Sequence, residues 1–223
     1  MTATVPEPSA AVATLFGDRL DLARRYAELL VREGLTRGLL GPREVPRIWE
    51  RHLANCAVVT ELVPQGARVV DVGSGAGLPG LVLAIRRPDL HVDLVDSLQR
   101  RTDFLSEAVA RLGLEAQVRV VRGRAEDPLV VDSVGEAEWV TARAVAPLDR
   151  LVGWCLPLLR AGGRLLAIKG SSAQAEVSEH SSTVRRRGGV DLAVVRCGVG
   201  ALEEPTAVIV VARAAERAKK GRT

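Results

Sequence analysis

Apolar residues recur at helical spacing from about Ser9 to Glu33, where Leu15, Leu22, Tyr26, Leu29 and Leu30 share one face and Gly34 marks a stop. A second helix is expected from Val45 to Leu62 through "VPRIWERHLANCAVVTEL". The pattern then changes to short runs of Val, Leu and Ile alternating with helical stretches, which predicts βαβ units on a parallel sheet buried on both faces. Strands are expected at "ARVVDV", "HVDLVD", "QVRVV", "EWVTAR" and "RLLAIK", with helices at about 79–87, 98–112 and 147–159. The "AGG" of Ala161 to Gly163 reads as a helix stop ahead of the fifth strand.

The last part of the chain breaks the alternation. After a helical stretch near Ala173 to Arg187, "VDLAVVRC" and "TAVIVVAR" are two strand-like runs joined by a loop too short for a crossover helix, so they are expected to pair antiparallel. Five parallel strands followed by such a hairpin predict an α/β fold: the seven-stranded mixed sheet of Rossmann-like class I methyltransferases. A dinucleotide dehydrogenase would not show that ending. The expected organisation is a helical N-terminal extension over 1–63, a methyltransferase domain over 64–213 and a basic flexible tail over 214–223.

The turn after the first strand, "VVDVGSGAGLPG", holds two overlapping glycine fingerprints. Read from Gly73, a dinucleotide pattern would put its third glycine on Leu78; read from Gly75, it keeps Gly75, Gly77 and Gly80 but stands further from the strand. Pro79 suits the first turn of the next helix. Asp71, at the strand end, would repel a pyrophosphate at the helix N-terminus but suits the sulfonium and ammonium groups of S-adenosylmethionine. Asp96, ending the second strand in "LVDS", is placed to accept hydrogen bonds from ribose hydroxyls.

Composition narrows the field further. The 223 residues, 47% of them hydrophobic, can bury one sizeable core. A net charge of +4 leans toward an anionic partner. No apolar run is long enough to span a bilayer, and "MTATVPEPSAAVATLF" has none of the layout of a secretion signal, so a cytoplasmic protein without membrane contact is expected. Cys56, Cys155 and Cys197 fit no metal or redox spacing and read as buried small hydrophobes, so no metal site is expected.

The run "RHLANCAVV…VVDVGSGAGLPGLVLAI…LVDSLQRRTDFL…RGRAEDP…TARAVAPL…LLAIKG" resembles the glucose-inhibited-division-B family, the small-subunit ribosomal RNA methyltransferase G enzymes, from about Arg51 to Gly170. The resemblance implies transfer of a methyl group from S-adenosylmethionine to N7 of guanine 527 in the 530 loop of 16S ribosomal RNA. It implies cofactor contacts at Gly73, Leu78, Ala125, Glu126 and Arg143. Arg124 and Lys169 resemble the family's basic residues around the RNA-facing mouth, and Arg143 is placed to face the methionine carboxylate or the incoming RNA. His52, in "ERHLAN", matches a family position whose expected role is packing the helical extension onto the sheet. Arg185 to Arg187 form a further basic cluster, equally readable as a solvated helix end. Two departures stand out: "EEPTAVIVV" brings Glu203, Glu204 and Pro205 where the family often has a basic residue, and "GLLGPREVP" differs from the usual sequence ahead of the second helix.

Guanine N7 offers an in-plane lone pair and loses no proton on methylation, so no general base is required; alignment and exclusion of water suffice. The sequence accordingly shows no Ser-His-Asp set, paired acids, Pro-Pro-aromatic motif or catalytic Cys motif. The expected partner is 16S RNA, free or within the 30S subunit, met by a monomer. Two other readings remain at this point: an NAD-dependent oxidoreductase, and a methyltransferase-like module that binds RNA without catalysis.

Overall fold

A computed structural model describes residues 4–215. The helical extension opens with α1 (Ala10–Phe16), which starts on Ser9, whose hydroxyl accepts from the Val12 N–H, and ends on Gly17 at φ +50°. That left-handed glycine breaks the single helix expected over Ser9 to Glu33. The chain resumes as α2 (Leu20–Leu29), which widens into π-type turns over Leu30–Gly34. The second expected helix is likewise subdivided. Tight 3₁₀ turns at Pro42–Arg47 give way to wide turns at Ile48–Ala54, the short α3 (Asn55–Ala57) and another 3₁₀ turn at Val58–Leu62. Pro46 supplies no N–H and so prevents regular α-helix at its start.

The strands are β1 (Arg68–Val72), β2 (His91–Asp96), β3 (Val118–Arg122), β4 (Ala137–Arg143), β5 (Leu159–Lys169), β6 (Gly189–Cys197) and β7 (Thr206–Arg213). They form one seven-stranded sheet in the order β3-β2-β1-β4-β5-β7-β6. The first five are parallel; β7 lies antiparallel between β5 and β6, with Lys169 opposite Ala207 and Val195 opposite Val208. The apolar runs thus give the expected sheet, and β7 is buried along almost all its length because it has a neighbour on each side.

Helices α4 (Gly80–Arg86) and α5 (Gln99–Leu112) cover one face, and α6 (Pro128–Val134), α7 (Leu148–Cys155) and α8 (Ala173–Arg186) the other. Tyr26, Leu30, Trp49 and Leu53 of the extension share a continuous core with Leu81, Leu94 and Phe104 on the α4–α5 side. The helix α6 is not among the elements the apolar pattern predicts, although Asp127 caps it by accepting from the Leu129 N–H at 3.0 Å and Pro128 opens its first turn. The stop expected at Ala161–Gly163 lies instead inside β5. Helix α7 ends at Cys155, and Gly162, at φ +76°, carries a bulge where the pairing shifts from Ala137–Leu159 to Trp139–Arg164. Most of the basic tail, 216–223, lies outside the described residues.

Candidate functional site

The parallel strands all end at one edge of the sheet, and in such sheets the crevice beyond the carboxyl ends is where ligands bind. A cleft lies there, between the tips of β1, β2 and β3. Its floor is Val72, Gly73, Val95 and Asp96; its walls include Arg101, Ala125, Glu126, Val145 and Trp154. Of the expected residues, Gly73, Asp96, Arg124, Ala125 and Glu126 are brought together here, while Ser97, Arg101, Gly123, Val145 and Trp154 were not foreseen.

The glycine turn is shaped by close approach. Gly73 sits at φ +69°, and a Cβ on it would stand 2.8 Å from Val145 Cγ2. Gly77, at φ +96°, would bring a Cβ to 2.9 Å from the Tyr26 hydroxyl, which itself donates to the Ala76 carbonyl at 2.7 Å. Gly75 turns its N–H to Asp96 Oδ2 at 3.0 Å. Glycine is therefore required both on the cleft side of the turn and behind it, where α2 presses up. Neither Gly75, Gly77 nor Leu78 lines the cleft; Leu78 packs on the core behind it.

Asp96 ties the cleft together. Its Oδ1 accepts from the Leu98 N–H at 3.0 Å, and its Oδ2 accepts from Gly75 and from Arg101 Nη1 at 3.2 Å. Across the cleft, Arg124 pairs with Glu126 at 2.7 Å while remaining 68% exposed. Asp96 is thus a buried carboxylate that braces the glycine turn and Arg101 beneath a cleft whose lining is part polar and part apolar, and the close approach at Gly73 leaves room there only where no side chain stands.

Asp71 stands elsewhere, contrary to expectation. It is wholly buried behind the turn, its Oδ2 accepting from the Gly80 N–H at 3.0 Å and its Oδ1 from the Thr141 hydroxyl at 2.9 Å. It joins β1 to β4 and to the start of α4, too deep to face a sulfonium. Burial pushes its carboxyl up to about 6, against the opposing pull of the Thr141 and Gly80 hydrogen bonds.

Lys169 also departs from the expectation of an RNA-facing cation. Its ammonium lies 2.7 Å from Glu176 Oε2, donates to the Ala146 carbonyl at 2.9 Å, and its side chain is only 10% exposed. The charge is spent inside the protein. Arg143 does not line the cleft either. Its guanidinium turns to the helical extension and donates to His52 Nδ1 at 2.8 Å, the Arg51 carbonyl at 3.1 Å and Cys56 Sγ at 3.2 Å. His52 is buried between extension and sheet, as expected, but it also bonds Glu44 Oε2 through Nε2 at 2.8 Å. Burial first, then the Arg143 charge, lowers the His52 pKa and favours the neutral ring. All three cysteines are free and buried, and among the described residues no cluster could hold a metal ion. Burial raises the Cys56 thiol above its ordinary value and carries Cys197 to about 11.

Residues 19–204 match the family model described as rRNA small subunit methyltransferase G. The chain is 61% identical over 211 residues to the ribosomal RNA small subunit methyltransferase G of Salinispora arenicola (strain CNS-205), covering 93% of this chain and 87% of that protein. It is 52% identical over 223 residues to the protein of the same name from Mycolicibacterium smegmatis, covering 99% and 94%. Among solved structures, a SAM-dependent O-methyltransferase from Thermotoga maritima superposes with a TM-score of 0.58 at 16% identity, over 79% of this chain and 72% of that one. A geranyl diphosphate C-methyltransferase from Streptomyces coelicolor, solved with S-adenosyl-L-homocysteine, gives 0.53 at 14% identity, over 72% and 78%. At such identities these structures speak for the fold alone, which is that of class I methyltransferases. With most of its length matched by the family model, and with relatives this similar over nearly their whole length, the chain belongs to the rRNA small subunit methyltransferase G family.

Proposed function

We propose that the protein transfers a methyl group from S-adenosylmethionine to N7 of guanine 527 in the 530 loop of 16S ribosomal RNA. The observation that carries this reading is the cleft formed by the Gly73 turn, Asp96 and the Ala125–Glu126 pair at the carboxyl ends of β1 to β3, in a protein of this family. Gly73, Asp96, Ala125 and Glu126 are the residues that would hold the donor there. Bound in the cleft, S-adenosylmethionine supplies an electrophilic methyl group on a sulfonium sulfur.

The chain's own part is positioning. Val72 and Val95 on the floor and Ala125, Val145 and Trp154 on the walls give the cleft apolar surface against which a bound donor would displace water. Guanine N7 loses no proton on methylation, so alignment of nucleophile, methyl carbon and sulfur supplies the catalysis without a base. The two carboxylates at the cleft, Asp96 and Glu126, are both engaged with arginines, so neither is assigned a proton-transfer role. Arg122, at the end of β3, and Arg100, in the first turn of α5, stand exposed on the same side as Arg124, where an RNA backbone can be met.

On this reading the enzyme works in the cytoplasm, as a monomer, on the ribosomal small subunit or its RNA; no helix among the described residues is long and apolar enough to cross a membrane. The test is transfer of labelled methyl groups to 16S RNA and to assembled 30S subunits, followed by mapping of the modified base, with calorimetry against S-adenosylmethionine and NAD in parallel. Label at guanine N7 is expected, with heat from the first ligand only. Heat from NAD alone would return the oxidoreductase reading, and donor binding without transfer to either RNA would return the non-catalytic one.

A further inference from the structure

The stretch from Arg143 to Leu148 leaves the tip of β4 and enters α7. It carries Val145, the residue that closes on Gly73 and forms one wall of the cleft. Within it Ala144 adopts φ +53°, a left-handed conformation that costs a residue with a Cβ about 1 kcal/mol or more. A turn of that kind keeps its shape only if neighbours impose it.

Two side-chain networks do so from opposite sides. On the extension side, Glu44 accepts from His52 Nε2–H, which leaves Nδ1 bare to accept from Arg143 Nη2, both at 2.8 Å. The Arg51 carbonyl and Cys56 Sγ take further guanidinium hydrogens, so one short segment holds Arg143 at three points. On the α8 side, Lys169 donates to the Ala146 carbonyl while paired with Glu176, and the same Glu176 accepts from the Leu148 N–H at 3.2 Å. The turn is thus gripped at Arg143, at Ala146 and at Leu148, with the strained Ala144 and the cleft-lining Val145 between the grips.

We propose that Glu44–His52 and Glu176–Lys169 are positioning pairs: they hold the 143–148 turn from both ends so that Val145 stands against Gly73, and they set donor affinity through that turn without touching the donor. The inference rests on the reading of the cleft as an S-adenosylmethionine site. It assigns His52 and Lys169, together with Glu44 and Glu176, to the geometry of a wall.

The two grips differ in how they respond to acid. The charged and titratable groups facing His52 are Glu44 and Arg51 on its own segment and Arg143 from β4; Arg47 acts on Glu44, and Cys56, Tyr26 and Asp71 lie around the Arg143 end. The ring accepts from Arg143 only while neutral. Its lowered pKa keeps it so near neutral pH, and acidification through that value replaces an acceptor by a cation beside a guanidinium.

The experiment is calorimetric S-adenosylmethionine binding, from neutral to mildly acidic pH, by wild type, His52→Leu, His52→Asn and His52→Leu/Ala144→Gly, each with a circular-dichroism melt. Leucine removes the acceptor at similar volume, whereas asparagine puts an amide oxygen near the Nδ1 position and does not titrate. Expected are a loss of about tenfold in affinity for His52→Leu, recovery of most of it in His52→Asn, and partial recovery on adding Ala144→Gly, since glycine takes a positive φ without strain. Wild-type affinity is expected to fall on acidification through the His52 pKa, and His52→Asn to show no such limb. His52→Leu binding like wild type, His52→Asn binding as weakly as His52→Leu, or an acid limb that persists in His52→Asn overturns the inference. Should His52→Leu fail to fold, the wild-type and His52→Asn pH series decide by themselves. A folded wild-type protein that binds no S-adenosylmethionine at any pH instead overturns the proposed function.

Discussion

The tips of β2 and β3 carry Ser97, Arg122 and Arg124 out into solvent, whereas the tips of β4 and β5 hold Arg143 and Lys169 inside hydrogen-bonded networks. Both halves of this edge are basic, and in the sequence each of these arginines and lysines is a cation at a strand end. What separates them is the layer stacked beyond. The helical extension and α8 rise over the β4–β5 half and bring Glu44, His52 and Glu176 against its cations, while among the described residues no comparable layer covers the β2–β3 half and its cleft stays open. A charge at the end of a strand therefore points to a ligand only where no neighbouring element supplies a counter-charge.

The comparison is broken hardest at the turn the two halves share. Gly73→Asp drives a side chain into Val145 at a left-handed backbone position and is expected to cost at least about 100-fold in S-adenosylmethionine affinity. Calorimetry on the folded variant checks this; unchanged affinity would remove the donor from the Gly73 turn.

On the closed half, Lys169→Met takes the counter-charge from the half-buried Glu176, which keeps only the Leu148 N–H and the Ser172 hydroxyl, with an expected stability loss of about 2–3 kcal/mol. Most of it should return in Lys169→Met/Glu176→Leu, and the salt dependence of RNA binding should not change. A shallower salt slope in the single variant would put Lys169 back on the RNA surface.

Beneath both halves, Asp71 sharpens the picture through pH. Its carboxyl lies at about 6 in the folded protein against an ordinary 3.8, so the folded state holds the extra proton between those values and loses stability as pH rises across them. At about 1.4 kcal/mol per pH unit the loss comes to about 3 kcal/mol, and above about pH 6 this contribution is flat. Asp71→Asn should lack the slope, so the wild-type melting temperature should fall relative to that of the variant from pH 4 to pH 6. A constant difference would mean that Asp71 is charged throughout.

The smallest effect on stability belongs to the open half. Arg124→Ala removes an exposed pair with Glu126 and should change stability by less than about 0.5 kcal/mol. The slope of log RNA affinity against log salt should become shallower by about 1 if the guanidinium meets a phosphate. A large stability loss with an unchanged slope would place Arg124 among the clamped cations.

The sequence made one half of this edge more legible than the other. The strands of the parallel sheet announce themselves as apolar runs because they are buried on both faces, and the glycine turn because its backbone conformation excludes other residues. Glu44 and His52 lie eight positions apart in a segment of mixed 3₁₀ and π turns, where no single period puts them on one face. Lys169 and Glu176 meet only because α8 folds back over the end of β5. Helix α6 is hidden in the pattern because "PLVVDSV" is as apolar and β-branched as a buried strand, its Asp-Pro start being the one distinguishing signal. Asp71 was misplaced for another reason: alternation along β1 says which face a side chain takes, but not that Thr141 and Gly80 close over it.

The position of β7 has a consequence for how the chain is made. Because the last strand is threaded between β5 and β6, a chain emerging from the ribosome at about 5–20 residues per second exposes the unpaired edge of β5 for about two to seven seconds before Thr206–Arg213 arrive. During that interval β6 has no partner to pair with, and the nascent polypeptide offers an adhesive strand edge to its neighbours. A ribosome that stops ahead of Thr206 leaves that edge exposed for good, so premature termination there yields an aggregation-prone fragment.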